Sequence, residues 1–152
     1  TTALDTSVSR LGRDDHYDVI SAFIKSMRAS EVDIALHWLA RMVEAGEDPR
    51  FIARRMMIFA SEDVGMADTA ALPFTVAVAE SLDRVGLPEA LHQLAHGVVY
   101  LALAPKSRSI TDAISAAMED VRSGHTGQAP ATTQNPPSYR PIGVDDFRYY
   151  RG

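Results

Sequence analysis

The chain has no cysteine, a single tryptophan, no excess of positive charge and no long apolar run. Without cysteine, disulfides and thiolate metal sites are excluded, which suits a cytosolic setting. Lysine and arginine number 15 against 20 aspartates and glutamates, a net charge of −5. The chain as a whole therefore repels a phosphate backbone, and only a local basic patch could hold one. Proline, glycine or charge interrupts every apolar stretch before it reaches the length that crosses a bilayer, so no membrane partner is expected. The start, Thr1-Thr2-Ala3-Leu4-Asp5, has neither the basic end nor the apolar stretch of a signal peptide. No segment matches G-x-x-x-x-G-K-[ST], so that phosphate-cradling loop is missing too.

What remains is helical periodicity. With 46% hydrophobic residues over 152 positions, the chain can bury the core of one domain. Residues 1–13 read as a polar lead-in from a preceding module. Asp14 or Asp15 can cap a first helix with Tyr17, Ile20, Phe23, Ile24 and Met27 on its apolar face. Ser30 and Asp33 resemble a shortened capping box for a second helix that stops at Gly46. Asp48-Pro49 opens a third, apolar around most of its circumference and so expected at the centre of the bundle. Asp63 projects onto its apolar side and needs a partner there, Arg55 or a backbone cap. Asp68 can cap a fourth helix, with a kink at Pro73 or a start near Leu72. Further helices are expected from Pro88, with Gly97 allowing close approach, and from Ser109 to just before Gly124.

The expected fold is all-α, a bundle of about six helices over 14–124. From His125 the composition turns to proline, threonine and glutamine, so 125–152 reads as an extended or disordered tail. Its aromatic end, Phe147, Tyr149 and Tyr150, can dock on the bundle or on a neighbouring subunit.

Little in this pattern points to catalysis. His92 and His96 stand one helical turn apart, but Gln93 occupies the place where a zinc protease needs glutamate, and no third ligand is evident. Most acidic residues sit at helix ends, where capping and dipole effects explain them. No catalytic, cofactor or metal residue is assigned. Two clusters carry more weight. Lys25-Ser26-Met27-Arg28 and Lys106-Ser107-Arg108 each lie between helices, with Ser30 and Ser109 beyond them. Lys25, Arg28, Lys106 and Arg108 are candidate anion or DNA contacts. Equally, such side chains cap the preceding helix and pair with a neighbouring carboxylate. Ile34 and Trp38 widen the second helix's apolar stripe, and Arg54 and Phe59 lie on the third helix; these four are candidate subunit-interface residues.

The order of the motifs adds a resemblance. Tyr17-Asp18-Val19-Ile20, Lys25-Ser26-Met27-Arg28-Ala29-Ser30 and Trp38-Leu39-Ala40-Arg41-Met42 come first. Ala45-Gly46-Glu47-Asp48-Pro49, Ala60-Ser61-Glu62-Asp63-Val64-Gly65-Met66-Ala67-Asp68, Gly86-Leu87-Pro88-Glu89 and Pro105-Lys106-Ser107 follow. Together these resemble the C-terminal region of the replication-associated recombination protein A family, the MgsA/RarA group, and of the Werner-helicase-interacting ATPases. The chain departs from the family pattern at Ala29, Glu31, His37, Thr69 and Arg108, and the resemblance does not extend past Gly124.

The resemblance implies a clamp-loader-collar-like oligomerisation domain that follows an AAA+ ATPase module and a lid. It implies a homotetramer acting at replication forks and in recombination-linked repair, meeting DNA and replication proteins through the full-length parent. ATP and Mg would be held only by the N-terminal module, with no cofactor in these residues. The setting implied is cytoplasmic, at the nucleoid in a bacterium. The other reading kept open is a helical DNA- or partner-binding module using the basic clusters.

Overall fold

A computed structural model of the chain describes residues 13–152, with side chains from His16 onward. The lead-in expected over 1–13 lies, but for Arg13, outside the described residues. Six α-helices form among them: α1 Arg13–Arg28, α2 Val32–Glu44, α3 Pro49–Phe59, α4 Ala71–Val85, α5 Leu91–Leu103 and α6 Ser109–Arg122. A π-helical turn, Ala60–Val64, and a 3-10 turn, Gly65–Ala67, connect α3 to α4. The only β pairing among the described residues is an isolated antiparallel bridge between Gln128 and Ile142. The chain divides into two compact units, one ending at Arg108 and the other comprising Ser109–Gly152.

In the first unit the core is built from one stripe of each helix. Phe23 and Met27 of α1, Leu39 and Met42 of α2, Ile52 and Met56 of α3, and Leu94, Val98 and Leu101 of α5 are all buried. Helix α5 packs against α1, α2, α3 and α4. It is therefore the central helix, where the sequence had pointed to the helix from Pro49. The reason is visible on both helices: α3 keeps Arg54 and Ile58 in solvent, with Ile58 44% exposed, whereas α5 carries Gly97 at its tightest crossing. A Cβ at Gly97 would lie 2.4 Å from Met56 Cε and 3.2 Å from Val78 Cγ2, so a larger residue there would displace the Met56 tip and press on Val78.

The joints show which signals act. Gly46, at φ +81°, ends α2 as expected; its N–H donates to the Val43 carbonyl, and that of Glu47 to Met42. Asp48 caps α3 by accepting the Arg50 N–H at 2.9 Å, with Pro49 at the first helical position. Ser30 behaves differently from the expected cap. It adopts φ +60° and closes α1, donating its N–H to the Met27 carbonyl while Glu31 N–H reaches Ser26. Glu31 is the residue before α2 and makes no side-chain cap bond. Serine suits an N-cap and, less often, a left-handed turn; here the pull of α1's open carbonyls wins. Asp14 and Asp15 lie within α1's first turn. Pro73 is the third residue of α4, where no intrahelical N–H bond is forfeited, so the start near Leu72 holds and no kink is required. A turn over Leu87–Ala90 delays α5 to Leu91.

In the second unit α6 has no buried residue. It ends before Gly124, at φ +93°, whose N–H reaches the Val121 carbonyl while that of His125 reaches Asp120. The irregular segment that follows is pinned near its end. Tyr149 donates its hydroxyl to Asp120 Oδ2 at 2.6 Å, and His125 Nδ1 lies 3.2 Å from the same oxygen. Phe147 stacks on His125 with ring centroids 6.0 Å apart.

Candidate functional site

The two basic clusters meet at one carboxylate. After Phe59 the chain widens into the π turn and stops at Gly65, φ +52°. That turn carries Asp63 inward, leaving it 2% exposed. Arg28 of α1 donates Nε to Asp63 Oδ1 at 2.7 Å and Nη2 to Oδ2 at 3.4 Å. Arg108 donates Nη1 to Oδ1, also at 2.7 Å, and its Nη2 lies 3.9 Å from Glu62. The Asp63 carbonyl accepts the Ser107 N–H at 2.9 Å. Lys106 donates Nζ to the Ala102 carbonyl at the end of α5 and to Ser30 Oγ at 2.9 Å.

Asp63 is therefore satisfied by residues 35 and 45 positions away, not by Arg55 or a backbone cap. A buried carboxylate needs a charged partner, and Asp63 has two guanidiniums. The hydrogen bond to Asp63 raises the Arg28 pKa, whereas desolvation lowers that of Lys106, opposed by the Asp63 charge. The arrangement joins the end of α1, the π turn and the end of α5 into one staple.

The remaining candidates separate clearly. Lys25 is exposed and has no ionic partner among the described residues. Arg50 pairs with Asp83 at 3.1 Å, and Arg54 lies over the Phe51 ring at 6.0 Å. Phe59 is 1% exposed, inside the core of its own unit, so it leaves the set of interface candidates. Ile34 is 47% exposed. Trp38 is half-buried, with the Arg41 guanidinium 5.0 Å above its ring and His37 edge-on to it. His96 packs edge-on to Phe74, and His92 Nδ1 lies 3.0 Å from the Glu89 carbonyl.

The sequence placed α6 within the bundle and put no candidate site residue on it. Its stripe is instead open: Ile110, Ile114, Met118 and Val121 are 37%, 57%, 42% and 54% exposed. The signal was present in the spacing of these residues. Periodicity marks which face is apolar without saying what covers it. Among the described residues no group of three or more His, Asp or Glu is placed to hold a metal ion.

The fold and the site thus define a helical-bundle module whose basic motifs are built into its joints and whose last helix leaves an apolar stripe in solvent. No described helix is long and apolar enough to cross a membrane. The chain belongs to the MgsA AAA+ ATPase C-terminal family, whose model matches residues 29–151 and so includes the tail where motif resemblance had stopped. An uncharacterized AAA domain-containing protein of Mycobacterium tuberculosis is 56% identical over 131 residues, 85% of this chain and 29% of that protein. Replication-associated recombination protein A of Bacillus subtilis is 48% identical over 117 residues, 77% of this chain and 28% of its own. The ATPase WRNIP1 of Dictyostelium discoideum is 44% identical over 98 residues, 64% of this chain and 11% of its own. The chain spans under a third of the length of each of these relatives.

Proposed function

We propose that this chain is the oligomerisation domain of a clamp-loader-like AAA+ ATPase working in replication-fork maintenance and recombination-linked repair. The partner of the domain is a second copy of itself, and the assembly is a homotetramer. The observation that carries this reading is the open stripe of α6, four large apolar side chains on one helix of 14 residues. A face of that kind is stable in water when another apolar face covers it. The Ile34–Trp38 strip of α2, with Arg41 stacked on it, offers a second contact of the composition favoured at interface centres.

In this reading the domain catalyses nothing itself. ATP and Mg bind in an N-terminal module, and DNA and replication proteins are met by the full-length cytoplasmic protein. The names of the relatives support the setting, and the share of their length that the chain spans leaves room for such a module. The alternative, a DNA- or partner-binding module built on Lys25, Arg28, Lys106 and Arg108, has less behind it. The last three already donate to Asp63, Ala102 or Ser30. Light scattering on the 152-residue chain tests the proposal: a tetramer is expected at tens of micromolar (a concentration on the order of weak subunit affinities), and a monomer there would sink it.

A further inference from the structure

One cavity adjoins the Asp63 staple and shares Arg28 with it. It is a groove of about 180 Å³ between α1 and α3, floored by Ile20 and Ile24 and lined by Lys25, Arg28 and Arg55. Tyr17 and Ser21 also line it. Three cations and no carboxylate line it among the described residues, on a chain whose net charge is −5.

The state of each cation is what gives the groove a purpose. Arg55 is half-buried, and its Nε is shut off from solvent without a hydrogen-bond partner. Desolvating part of a guanidinium without pairing it is unfavourable, and an anion beside the group would offset that cost electrostatically. Arg28 commits Nε and Nη2 to Asp63, which fixes its plane; Nη1 is not among the atoms that engage that carboxylate. Lys25 is exposed and has no ion-pair partner among the described residues. Two guanidiniums, one of them held in place by a buried carboxylate, and one exposed ammonium make a set of donors matched to a compact, multiply charged oxyanion.

We propose that this groove is a phosphate-binding site, with Arg55 as its principal ligand, Lys25 as its point charge and Arg28 as a preoriented third donor. A phosphate group offers three or four acceptor oxygens to these donors, whereas a single carboxylate would leave part of the set unused. The phosphate comes from a nucleic-acid backbone or from a free phosphate compound; both present the same group to the three cations. The site is independent of α6 and of the oligomeric reading.

Amide and arginine-side-chain NMR shifts of the 152-residue chain test it, titrated separately with inorganic phosphate, a short single-stranded oligothymidylate and a glutamate-rich peptide of matched charge. Expected is a saturable shift of the Arg55 and Ser21 signals with phosphate, oligothymidylate or both. Arg55→Gln should weaken it about tenfold or more. Lys25→Ala, a substitution at an exposed position, should weaken oligothymidylate binding and reduce its salt slope by about one. Shifts with oligothymidylate alone assign the phosphate to nucleic acid; shifts with inorganic phosphate alone assign it to a free compound. The proposal is overturned if neither probe shifts the groove, if folded Arg55→Gln and Lys25→Ala chains bind as the parent does, or if only the glutamate-rich peptide binds.

Discussion

Helices α5 and α6 are nearly the same length, 13 and 14 residues, and both carry apolar residues at helical spacing. Their fates are opposite. Leu94, Gly97, Val98, Leu101 and Ala102 of α5 are buried, and four other helices press on it. Helix α6 buries nothing, and its isoleucines, methionine and valine stay in solvent. The difference shows that an apolar stripe is a demand for a partner, and that the chain itself decides only some of these demands. Gly97 explains why α5 could be met from several sides at once: it removes the atom that would hold Met56 and Val78 away. Nothing comparable lies in α6, which has no glycine between Ser109 and Arg122.

If this contrast is right, damage to α5 is read out as lost stability and damage to α6 as lost association. The largest effect belongs to the core. Leu101→Ala should lower unfolding free energy by about 2–5 kcal/mol in urea melts, since a fully buried leucine leaves a cavity when truncated. A loss below about 1 kcal/mol would mean that α5 is not the central helix.

Next comes the staple that holds the end of α5. Asp63→Asn leaves two guanidiniums facing a neutral amide and should cost about 3 kcal/mol, the low end for a broken buried pair. The low end applies because the Arg28 and Arg108 side chains are themselves 40% and 44% exposed. Arg108→Ala should cost less than Asp63→Asn, because Arg28 stays on the carboxylate. Reversed order in chemical denaturation would show that the two arginines do not share one acceptor.

Substitutions in α6 should invert the pattern. Ile114→Glu with Val121→Glu places charge on an exposed stripe, so monomer stability should change by no more than about 0.5 kcal/mol per site. Self-association, followed by sedimentation velocity, should weaken at least about tenfold. Equal loss of both quantities would erase the distinction between the two helices.

The sequence made much of this visible, unevenly. Helix punctuation was legible wherever one residue serves one purpose, as Gly46, Asp48 and Gly124 do. It misled at Ser30, where a small polar residue suits the end of one helix and the start of the next. Both basic clusters were legible as clusters. Their common target was not, because Asp63 reaches them through a π turn that shifts its direction from the α-helical projection. The groove around Arg55 was invisible for a related reason: Tyr17, Lys25 and Arg55 come from two helices whose separation no periodicity encodes.

The smallest expected effect sharpens the comparison at its edges, through two tyrosines that make the same bond in different units. In the second unit Tyr149 donates to Asp120; that bond raises the phenol pKa, and, with His125, holds the Asp120 carboxyl below its usual range. In the first, Tyr100 donates to Asp68, which raises that phenol likewise. A lowered carboxylate contributes stability above its unfolded value, about 3.9, that is lost as pH falls through the folded one. A raised phenol contributes below its unfolded value, about 10, and loses that contribution as pH rises through the folded one. The tail should therefore be held between these limits and loosen beyond each, as seen in amide exchange at Phe147–Tyr150. Alkaline loosening is expected in both units, so the pH profile alone does not separate them, but substitution does. Tyr149→Phe should free the tail amides at neutral pH and remove their alkaline transition, while leaving α5 exchange unchanged. Tyr100→Phe should do the converse, lowering protection in α5 and leaving the tail's alkaline transition in place. Should Tyr149→Phe leave tail protection intact at neutral pH, the Asp120 contact is not what holds the segment, and the stacking of Phe147 on His125 must carry it.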